Sequence, residues 1–271
     1  MSNLLEPPFD SMSRISAVEL RQVRQSGGLR TVEHFVDLGS TNDRARRLLA
    51  IDGIELPALV VTDHQTAGRG RGPNSWWATR GALTFSLIIR RPLTEQPNRA
   101  GCIALTAGLA VCEAVRETCP TMKVGMKWPN DIEIEGRKVC GILIEIPRDH
   151  DRCVLGIGVN VNNSFHDASQ AFSSRAASLR DLTGKSLPLY VMLSSIVTKV
   201  LRHVELLDQD DPQLPARWHD ACCLKGSSIR VKVGSQKTEG LCEGIGRDGA
   251  LLVRNSQGLH QCHSGSVTRL G

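Results

Sequence analysis

The sequence predicts a main domain of the α/β (α+β) class followed by a small β-barrel. Between residues 31 and 224, short apolar runs rich in β-branched residues alternate with longer stretches of helical periodicity. After Lys225 the helical periodicity ends, and short β-type runs are separated by frequent glycines, which is typical of a barrel of about five strands. We therefore divide the chain into a leader with a short helix (1–30), a main domain (31–224) and a barrel (225–271).

Local signals define the N-terminal part of the chain. Residues 1–13 are expected to form a disordered leader, because they show neither periodicity nor a capping pattern. Ser16 and Glu19 form a capping-box pattern at the start of a short helix, and Gly27 with Gly28 ends it.

The remaining elements of the main domain follow from the spacing of apolar residues. The predicted strands are Thr31–Leu38, Ala58–Asp63, Ala82–Arg90, Val124–Trp128, Ile132–Ile134, Lys138–Ile146 and Leu155–Val161. The predicted helices run from Ser40-Thr41 to Ala50, from Asn98 to Thr118, from Leu189 to Leu207 and from Gln213 to Leu224. A turn at Glu135-Gly136 makes two of these strands a hairpin.

Composition and charge are compatible with a protein that handles anionic small molecules or an acidic partner, but they single out neither. The formal net charge is +5, and the 33 Lys and Arg residues are spread along the chain, so we expect no nucleic-acid binding. Nine Cys without a CxxC pair argue against a disulfide framework and against a zinc site. The sequence shows no signal peptide and no apolar run of about 20 residues, so we expect a cytoplasmic protein without membrane contact.

The stretch QTAGRGRGPNSW, from Gln65 to Trp76, is a glycine-rich loop that follows a predicted strand. Its glycines let the backbone approach a ligand closely, and the planar fork of an arginine matches carboxylate or phosphate. The spacing fits neither a P-loop nor a Rossmann fingerprint. Taken alone, this loop is predicted equally well as an anion site and as a flexible surface loop with solvated arginines.

Two further clusters contain residues that can bind a nucleotide. KWPND, from Lys127 to Asp131, joins cationic, amide and carboxylate groups, although a Pro-Asn-Asp turn alone would also explain it. GIGVNVN, from Gly156 to Asn162, has glycines inside an apolar strand, as expected where a ligand or another backbone comes close. An ordinary strand end explains GIGVNVN equally well.

Five motifs in series resemble the biotin–protein ligase family, of the monofunctional type without an N-terminal DNA-binding domain. They are STND (40–43), QTAGRGRGPNSW (65–76), KWPND (127–131), GRKVCGILIE (136–145) and GIGVNVN (156–162). The resemblance implies a catalytic domain related to class II aminoacyl-tRNA synthetases. It also implies the activity of a biotin–[biotin carboxyl-carrier protein] ligase. Such an enzyme uses ATP and Mg²⁺ to make biotinyl-5′-adenylate. Biotin then passes to one lysine of the carrier domain of a biotin-dependent carboxylase.

The resemblance also implies roles for individual residues. The residues implied to bind biotin are Ser40, Thr41, Gln65, Gly68, Arg69, Arg71, Lys138 and Gly141. Those implied to bind ATP or the adenylate are Arg69, Arg71, Trp76, Lys127, Asn130, Asp131, Lys138 and Asn160. Arg71, Lys138 and Asp131 would be catalytic, and Asp131 would also be a ligand of Mg²⁺.

The sequence departs from the family pattern in one place and leaves alternatives open. Gly72 to Ser75 stands where many relatives have further basic residues. About 30 residues precede Thr31, too few for a winged helix, so no repressor function is expected. A lipoate or octanoate ligase and a non-catalytic biotin sensor are the rival hypotheses, and relatives include both monomers and homodimers.

Overall fold

The computed structural model describes residues 14–92, 99–147, 151–166 and 174–270. The predicted leader at 1–13 lies outside this range. The helices are α1 (Ala17–Ser26), α2 (Thr41–Leu49), α3 (Arg99–Thr118), α4 (Leu179–Thr183), α5 (Leu189–Asp208) and α6 (Leu214–Ala221). In the described parts of the chain, no helix is long and apolar enough to cross a membrane.

Seven strands of the main domain form one mixed sheet. They are β1 (Thr31–Leu38), β2 (Ala58–Gln65), β3 (Ala82–Arg90), β4 (Val124–Lys127), β5 (Asp131–Ile134), β6 (Arg137–Glu145) and β7 (Arg152–Asn160). Their order in the sheet is β1-β2-β3-β7-β6-β5-β4, in which β1 and β2 are parallel and every other neighbouring pair is antiparallel. This order puts β6 and β7, which carry the fourth and fifth motifs, near the middle of the sheet.

The sheet is covered on both faces, because its central strands are apolar on both sides. In β2, Leu59 and Val61 join the large core formed with helices α3 and α5. Ala58 and Val60 face the other way and pack with Leu48 of α2. Helix α2 is short, so it covers only part of its face, and the remaining part is open for a binding cleft.

The predicted elements are present with small shifts at their ends, and one element was missed. Glu135 and Gly136 have φ angles of 53° and 75°, which is the geometry of a tight hairpin turn between β5 and β6. Helix α4 was not predicted, although Ser178 caps it and Gly184 ends it with a φ of 71°. It is five residues long, which is too short to show a helical period.

The C-terminal part is an antiparallel sheet of five strands, and closure into the predicted barrel is not observed. The strands are β8 (Ser228–Val233), β9 (Gln236–Ile245), β10 (Leu251–Asn255), β11 (Gly258–Cys262) and β12 (Ser266–Arg269). Their order is β11-β10-β9-β8-β12, and within residues 174–270 the outer strands β11 and β12 do not pair with each other. The spacing of the glycines after Lys225 predicted the number of strands. This spacing does not determine whether the two outer strands pair with each other.

The nine cysteines are free thiols, and most of them are buried. Cys102 and Cys112 lie in the core, as their helical pattern predicts. Burial raises the pKa of both thiols to about 12, so they remain protonated and unreactive at neutral pH.

Candidate active site

A cleft of about 230 Å³ opens on the sheet face that α2 leaves uncovered. The N-terminus of α2, the glycine-rich loop, strands β4 to β7 and the start of β12 surround it. Most of the predicted site residues line this cleft: Ser40, Thr41, Gln65, Arg69, Arg71, Trp76, Lys127, Asn130, Asp131, Lys138 and Gly141. Motifs more than a hundred residues apart therefore meet in one place.

Glycines on β6 and β7 form the floor of the cleft. Gly141 and Gly158 are direct partners in the register of these strands. The alternation of strand side chains sends Ile157 and Val159 into the core beneath. Glycine at 158 therefore leaves the cleft side of the sheet bare, so a flat group can lie on it.

The indole of Trp76 lies on this glycine floor. A methyl group added at Gly158 would come within 2.4 Å of the indole, and one at Gly141 within 3.3 Å. The Lys138 ammonium lies 5.7 Å from the centre of the ring. Trp76 Nε1 is buried and has no hydrogen-bond partner among the described residues. Since buried polar atoms are nearly always paired, this N–H is available to an acceptor on a ligand.

One end of the cleft is lined by neutral hydrogen-bonding groups at the start of α2. Ser40 caps the helix, and its hydroxyl accepts a hydrogen bond from the Asp43 amide. Thr41 donates from its amide and its hydroxyl to Gln65 Oε1, at 2.9 and 3.2 Å. All three predicted residues, Ser40, Thr41 and Gln65, are buried. Such an end can bind an uncharged polar group that both donates and accepts hydrogen bonds.

The other end is cationic. Lys138 Nζ lies 2.6 Å from Asp131 Oδ1, which holds the ammonium in place. Lys127 Nζ lies 2.7 Å from Glu133 Oε1, and Arg269 of β12 binds the other oxygen of Glu133 at 2.7 Å. Because two cations share the buried Glu133, this end keeps an excess of positive charge that suits carboxylate and phosphate groups.

The two arginines of the loop have different partners. Arg69 Nη2 lies 2.8 Å from Asp43 Oδ1 and 3.0 Å from both oxygens of Glu145. Burial acts to lower the pKa of Arg69, but the bonds to Glu145 and the charge of Asp43 raise it overall. Arg71 instead donates to the carbonyl oxygen of Gly265, immediately before β12. Both arginines hold the loop down over the cleft.

Two predicted residues are not among the cleft-lining residues of the described chain. A methyl group at Gly68 would lie 2.3 Å from Trp76 O, so glycine there lets the two halves of the loop pair. Asn160 is buried beside the floor, where it donates to Lys138 O at 3.5 Å and accepts from Asn163 at 3.2 Å. A direct contact between Asn160 and a base therefore stays a prediction. Asn130 does line the cleft, and its amide is fixed by a 2.6 Å bond to Ile142 O.

The site offers limited protein ligation for Mg²⁺. Within the described residues, no group of three or more His, Cys, Asp or Glu side chains is placed to hold a metal ion. Asp131 is the predicted ligand, and it lies at the cationic end of the cleft. This arrangement fits an ion that takes its other ligands from water and nucleotide phosphates, as Mg²⁺ often does.

Several functional positions were not assigned from the sequence. Asn42 lines the cleft, and Glu145 binds the loop, although both belong to quoted motifs. Ser86 is fully buried in β3, where polar residues at 84 and 86 inside a mainly apolar run are the signal that could have identified it. Glu133 and Arg269 have no comparable signal, because their pairing joins residues 136 positions apart.

Comparisons with known proteins agree with this geometry. A model of the biotin/lipoate A/B protein ligase family matches residues 35–162. The chain is 33% identical over 262 residues to the biotin–[acetyl-CoA-carboxylase] ligase of Mycobacterium tuberculosis, with 92% of this chain and 91% of that protein covered. It is 29% identical over 240 residues to the bifunctional ligase/repressor BirA of Bacillus spizizenii, covering 86% and 72%.

Solved structures give the same result. The biotin protein ligase from Aquifex aeolicus in complex with biotin and ATP aligns with a TM-score of 0.78 at 25% identity. That alignment covers 89% of this chain and 100% of the other. The ligase from Leishmania major in complex with biotinyl-5-AMP aligns with a TM-score of 0.59, also at 25% identity.

Proposed function

Because this chain belongs to the biotin/lipoate A/B protein ligase family, we propose that its cleft activates biotin with ATP and then transfers biotin to a carrier-protein lysine. The observation that carries the proposal is the polarity of the cleft, neutral at one end and cationic at the other. Biotin has the same division, with an uncharged ureido ring at one end and a carboxylate at the other.

The neutral end is proposed to bind the ureido ring. This ring donates two N–H groups and offers one carbonyl oxygen. Ser40, Thr41 and Gln65 supply hydroxyl and amide groups that can pair with both kinds of atom. A lipoyl head has a disulfide in place of these groups, and it would leave such buried polar groups unpaired at a cost of about 1–3 kcal/mol each. The pocket therefore favours biotin.

The cationic end is proposed to bring two anions together. A carboxylate and an α-phosphate repel each other, and Arg71 with Lys138 lowers this repulsion before reaction. A biotin carboxylate oxygen attacks the α-phosphorus, pyrophosphate leaves, and biotinyl-5′-adenylate forms. Lys127 and Asn130 are proposed to bind the phosphates, and Asp131 is proposed to fix Lys138. Mg²⁺, bound through Asp131 and the nucleotide, would neutralise the leaving pyrophosphate.

Transfer requires that water stay out until the carrier lysine arrives. The neutral amine of that lysine attacks the acyl carbon, AMP leaves, and the nitrogen loses a proton. Asp131 is proposed as the acceptor of this proton, on position alone. The ordered loop and Trp76 are proposed to cover the mixed anhydride meanwhile, and Trp76 is proposed to pack against the adenine.

The organisation into domains supports a role for the C-terminal sheet in this chemistry. We propose residues 31–224 as the catalytic domain and 225–271 as a separate small domain. Trp128 Nε1 donates to Gly249 O at 3.0 Å, and Arg269 binds Glu133, so the two parts meet at the cationic end. The relation of the catalytic domain to class II synthetases remains a prediction.

Exchange of labelled pyrophosphate into ATP tests the proposal. We expect exchange that depends on biotin and Mg²⁺ and that lipoate does not support. Exchange with lipoate alone would refute the assignment of the substrate. Tight biotin binding without exchange would instead identify a biotin sensor. ATP-dependent labelling of a carrier domain with an exposed lysine then tests the second half-reaction.

A further inference from the structure

We propose that Asn42, Ser86 and Glu145 form a hydrogen-bonded relay between the proposed ureido pocket and the glycine-rich loop. The relay makes occupancy of the pocket and order of the loop depend on each other. Ser86 is not among the residues that line the cleft, so it acts as a positioning residue. The inference rests on the proposed function, because it takes biotin as the ligand of the pocket.

The relay begins at the hydroxyl of Ser86. Its oxygen lies 2.8 Å from Thr41 Oγ1 and 2.6 Å from Asn42 Oδ1. Thr41 uses its own hydroxyl proton toward Gln65 Oε1. The single proton of Ser86 is therefore shared between two acceptors. A ligand N–H donated to Thr41 competes for that oxygen and turns the Ser86 proton toward Asn42.

Asn42 transmits this change because its side chain cannot rotate freely. Its Nδ2 donates to Glu145 Oε2 at 2.8 Å and to Leu143 O at 3.4 Å. A methyl group at Gly156 would lie 2.2 Å from Asn42 Oδ1, so glycine at this position of β7 leaves the room that the amide occupies. A buried amide with both ends bonded stays in one orientation.

Glu145 connects the buried amide to the loop. Arg69 binds both oxygens of Glu145 at 3.0 Å, so the carboxylate is shared between Asn42 and Arg69. Arg69 in turn pairs with Ser75 across the loop, and the Trp76 amide donates to Gly68 O at 2.9 Å. Fixing Arg69 therefore fixes the backbone that carries Trp76.

The coupling is measured by two variants at residues that neither line the cleft nor bond to each other. Ser86→Ala removes the shared proton, and Glu145→Gln weakens the bond to Arg69. We expect Ser86→Ala to weaken biotin binding by a factor on the order of ten in the wild-type background. In the Glu145→Gln background the same change should weaken it less than twofold, because the relay is already broken. Titration calorimetry gives all four affinities.

The order of the loop is read independently by trypsin cleavage after Arg69 and Arg71. In the wild-type protein we expect biotin to slow both cleavages. In Ser86→Ala, saturating biotin should give only a small part of that protection, although the pocket is filled. In Glu145→Gln the loop should be cut roughly ten times faster without ligand. Mass spectrometry of the fragments assigns each cut.

Matched controls come from pairs of the same chemistry outside the relay. Glu33→Gln weakens a bond of 2.7 Å to Arg44, and Thr62→Val removes a buried hydroxyl on β2 that bonds His64 O. Both should leave biotin affinity and loop protection at the wild-type level. If Ser86→Ala proves unstable, Ser86→Cys keeps a weak donor at the same place, and it should show an intermediate loss of biotin affinity.

The outcomes separate the relay from the function on which it rests. Additive losses of affinity in the double variant, or full loop protection by biotin in Ser86→Ala, would overturn the relay while leaving the ligase in place. A wild-type protein that binds no biotin would overturn both. Non-additive losses together with lost protection in Ser86→Ala would support the relay, since Asn42 is the residue that hydrogen-bonds to both Ser86 and Glu145.

Discussion

Substitution of Gly158 by alanine tests whether the indole of Trp76 must lie on the glycine floor for adenylation. The added methyl carbon would lie 2.4 to 2.6 Å from three indole atoms. Ordinary van der Waals contact begins at 3.4 Å, so the two groups must separate by about one ångström. Strand β7 lies between β3 and β6 and is held on both sides, whereas Trp76 belongs to a loop. The indole therefore moves, and the sheet does not.

The size of the effect follows from that displacement. A shift of about one ångström in a group that orients a substrate costs up to about 10²-fold in rate. We expect kcat/KM for adenylate formation to fall roughly 10- to 100-fold, which corresponds to about 1.4–2.7 kcal/mol. The melting temperature should fall by only a few degrees, roughly 2–4 °C per kcal/mol for a chain of this size, because the loop absorbs the strain. Biotin-dependent pyrophosphate exchange and thermal melting measure the two quantities.

Two further variants show whether the indole is the cause. Gly141→Ala places its methyl 3.3 Å from the same ring and 3.0 Å from Lys138 Nζ, the end of a flexible side chain that can yield, so it should produce a smaller loss than Gly158→Ala. In a Trp76→Ala background, Gly158→Ala should cost nothing more, because the clash is gone. Wild-type exchange in Gly158→Ala would refute the reasoning. So would a second loss in the double variant, since it would place the damage in the sheet.

Three further perturbations concern charges. Lys138→Ala should abolish most pyrophosphate exchange while lowering the melting temperature little; a loss of stability as large as the loss of exchange would contradict its role at the ligand. Arg269→Met leaves Glu133 with one cation, so we expect the KM for ATP to rise severalfold and the KM for biotin to stay unchanged. The control Arg230→Met breaks an exposed ion pair with Glu239, so it should change neither KM. Burial lowers the pKa of His203, so the unfolded chain binds the proton more readily and stability should fall as the pH drops below about 6.5. Melting curves of wild type and His203→Gln between pH 8 and 5 measure this, and equal slopes would exclude His203 as the cause.

Local signals in the sequence predicted most of the fold because they act over a few residues. The capping box of Ser16 and Glu19 is formed, with the Ser16 amide 2.7 Å from Glu19 Oε2. The turn at Glu135-Gly136 has the expected positive φ angles. Closure of the C-terminal strands was predicted and is not observed, since it depends on the register of strands distant in sequence.

The candidate site was predicted only as far as motifs reach. The order of the motifs predicted that Ser40, Gln65 and Lys138 belong to one site. The motifs do not show which side chains bind each other. Pairs such as Arg269 with Glu133 join distant positions through ordinary charged residues, which on most surfaces are simply solvated. Their importance comes from burial, and burial is a property of the folded chain.

The segment from Gly72 to Ser75, which departs from the family pattern, belongs to a loop tip that is held by its own hydrogen bonds. Gly70 donates from its amide to Asn74 O at 2.7 Å, and Asn74 Nδ2 donates to Arg71 O at 2.9 Å. Gly72 has a φ of 63°, a conformation that a basic side chain in its place would adopt only with strain. The tip of the loop is therefore closed by its own backbone, and it does not depend on further cations for its shape.

Of the two arginines in the glycine-rich loop, Arg71 is the one that can respond to the ligand. Arg69 is bound to the carboxylates of Glu145 and Asp43, and a ligand anion offers it no stronger partner. Arg71 is bound to Gly265 O, a neutral acceptor. A carboxylate or phosphate attracts the guanidinium more strongly than a neutral carbonyl oxygen does, because it carries a full negative charge and can accept two parallel hydrogen bonds. We therefore expect Arg71 to leave Gly265 and turn toward the carboxylate and α-phosphate, while Arg69 keeps the loop in place.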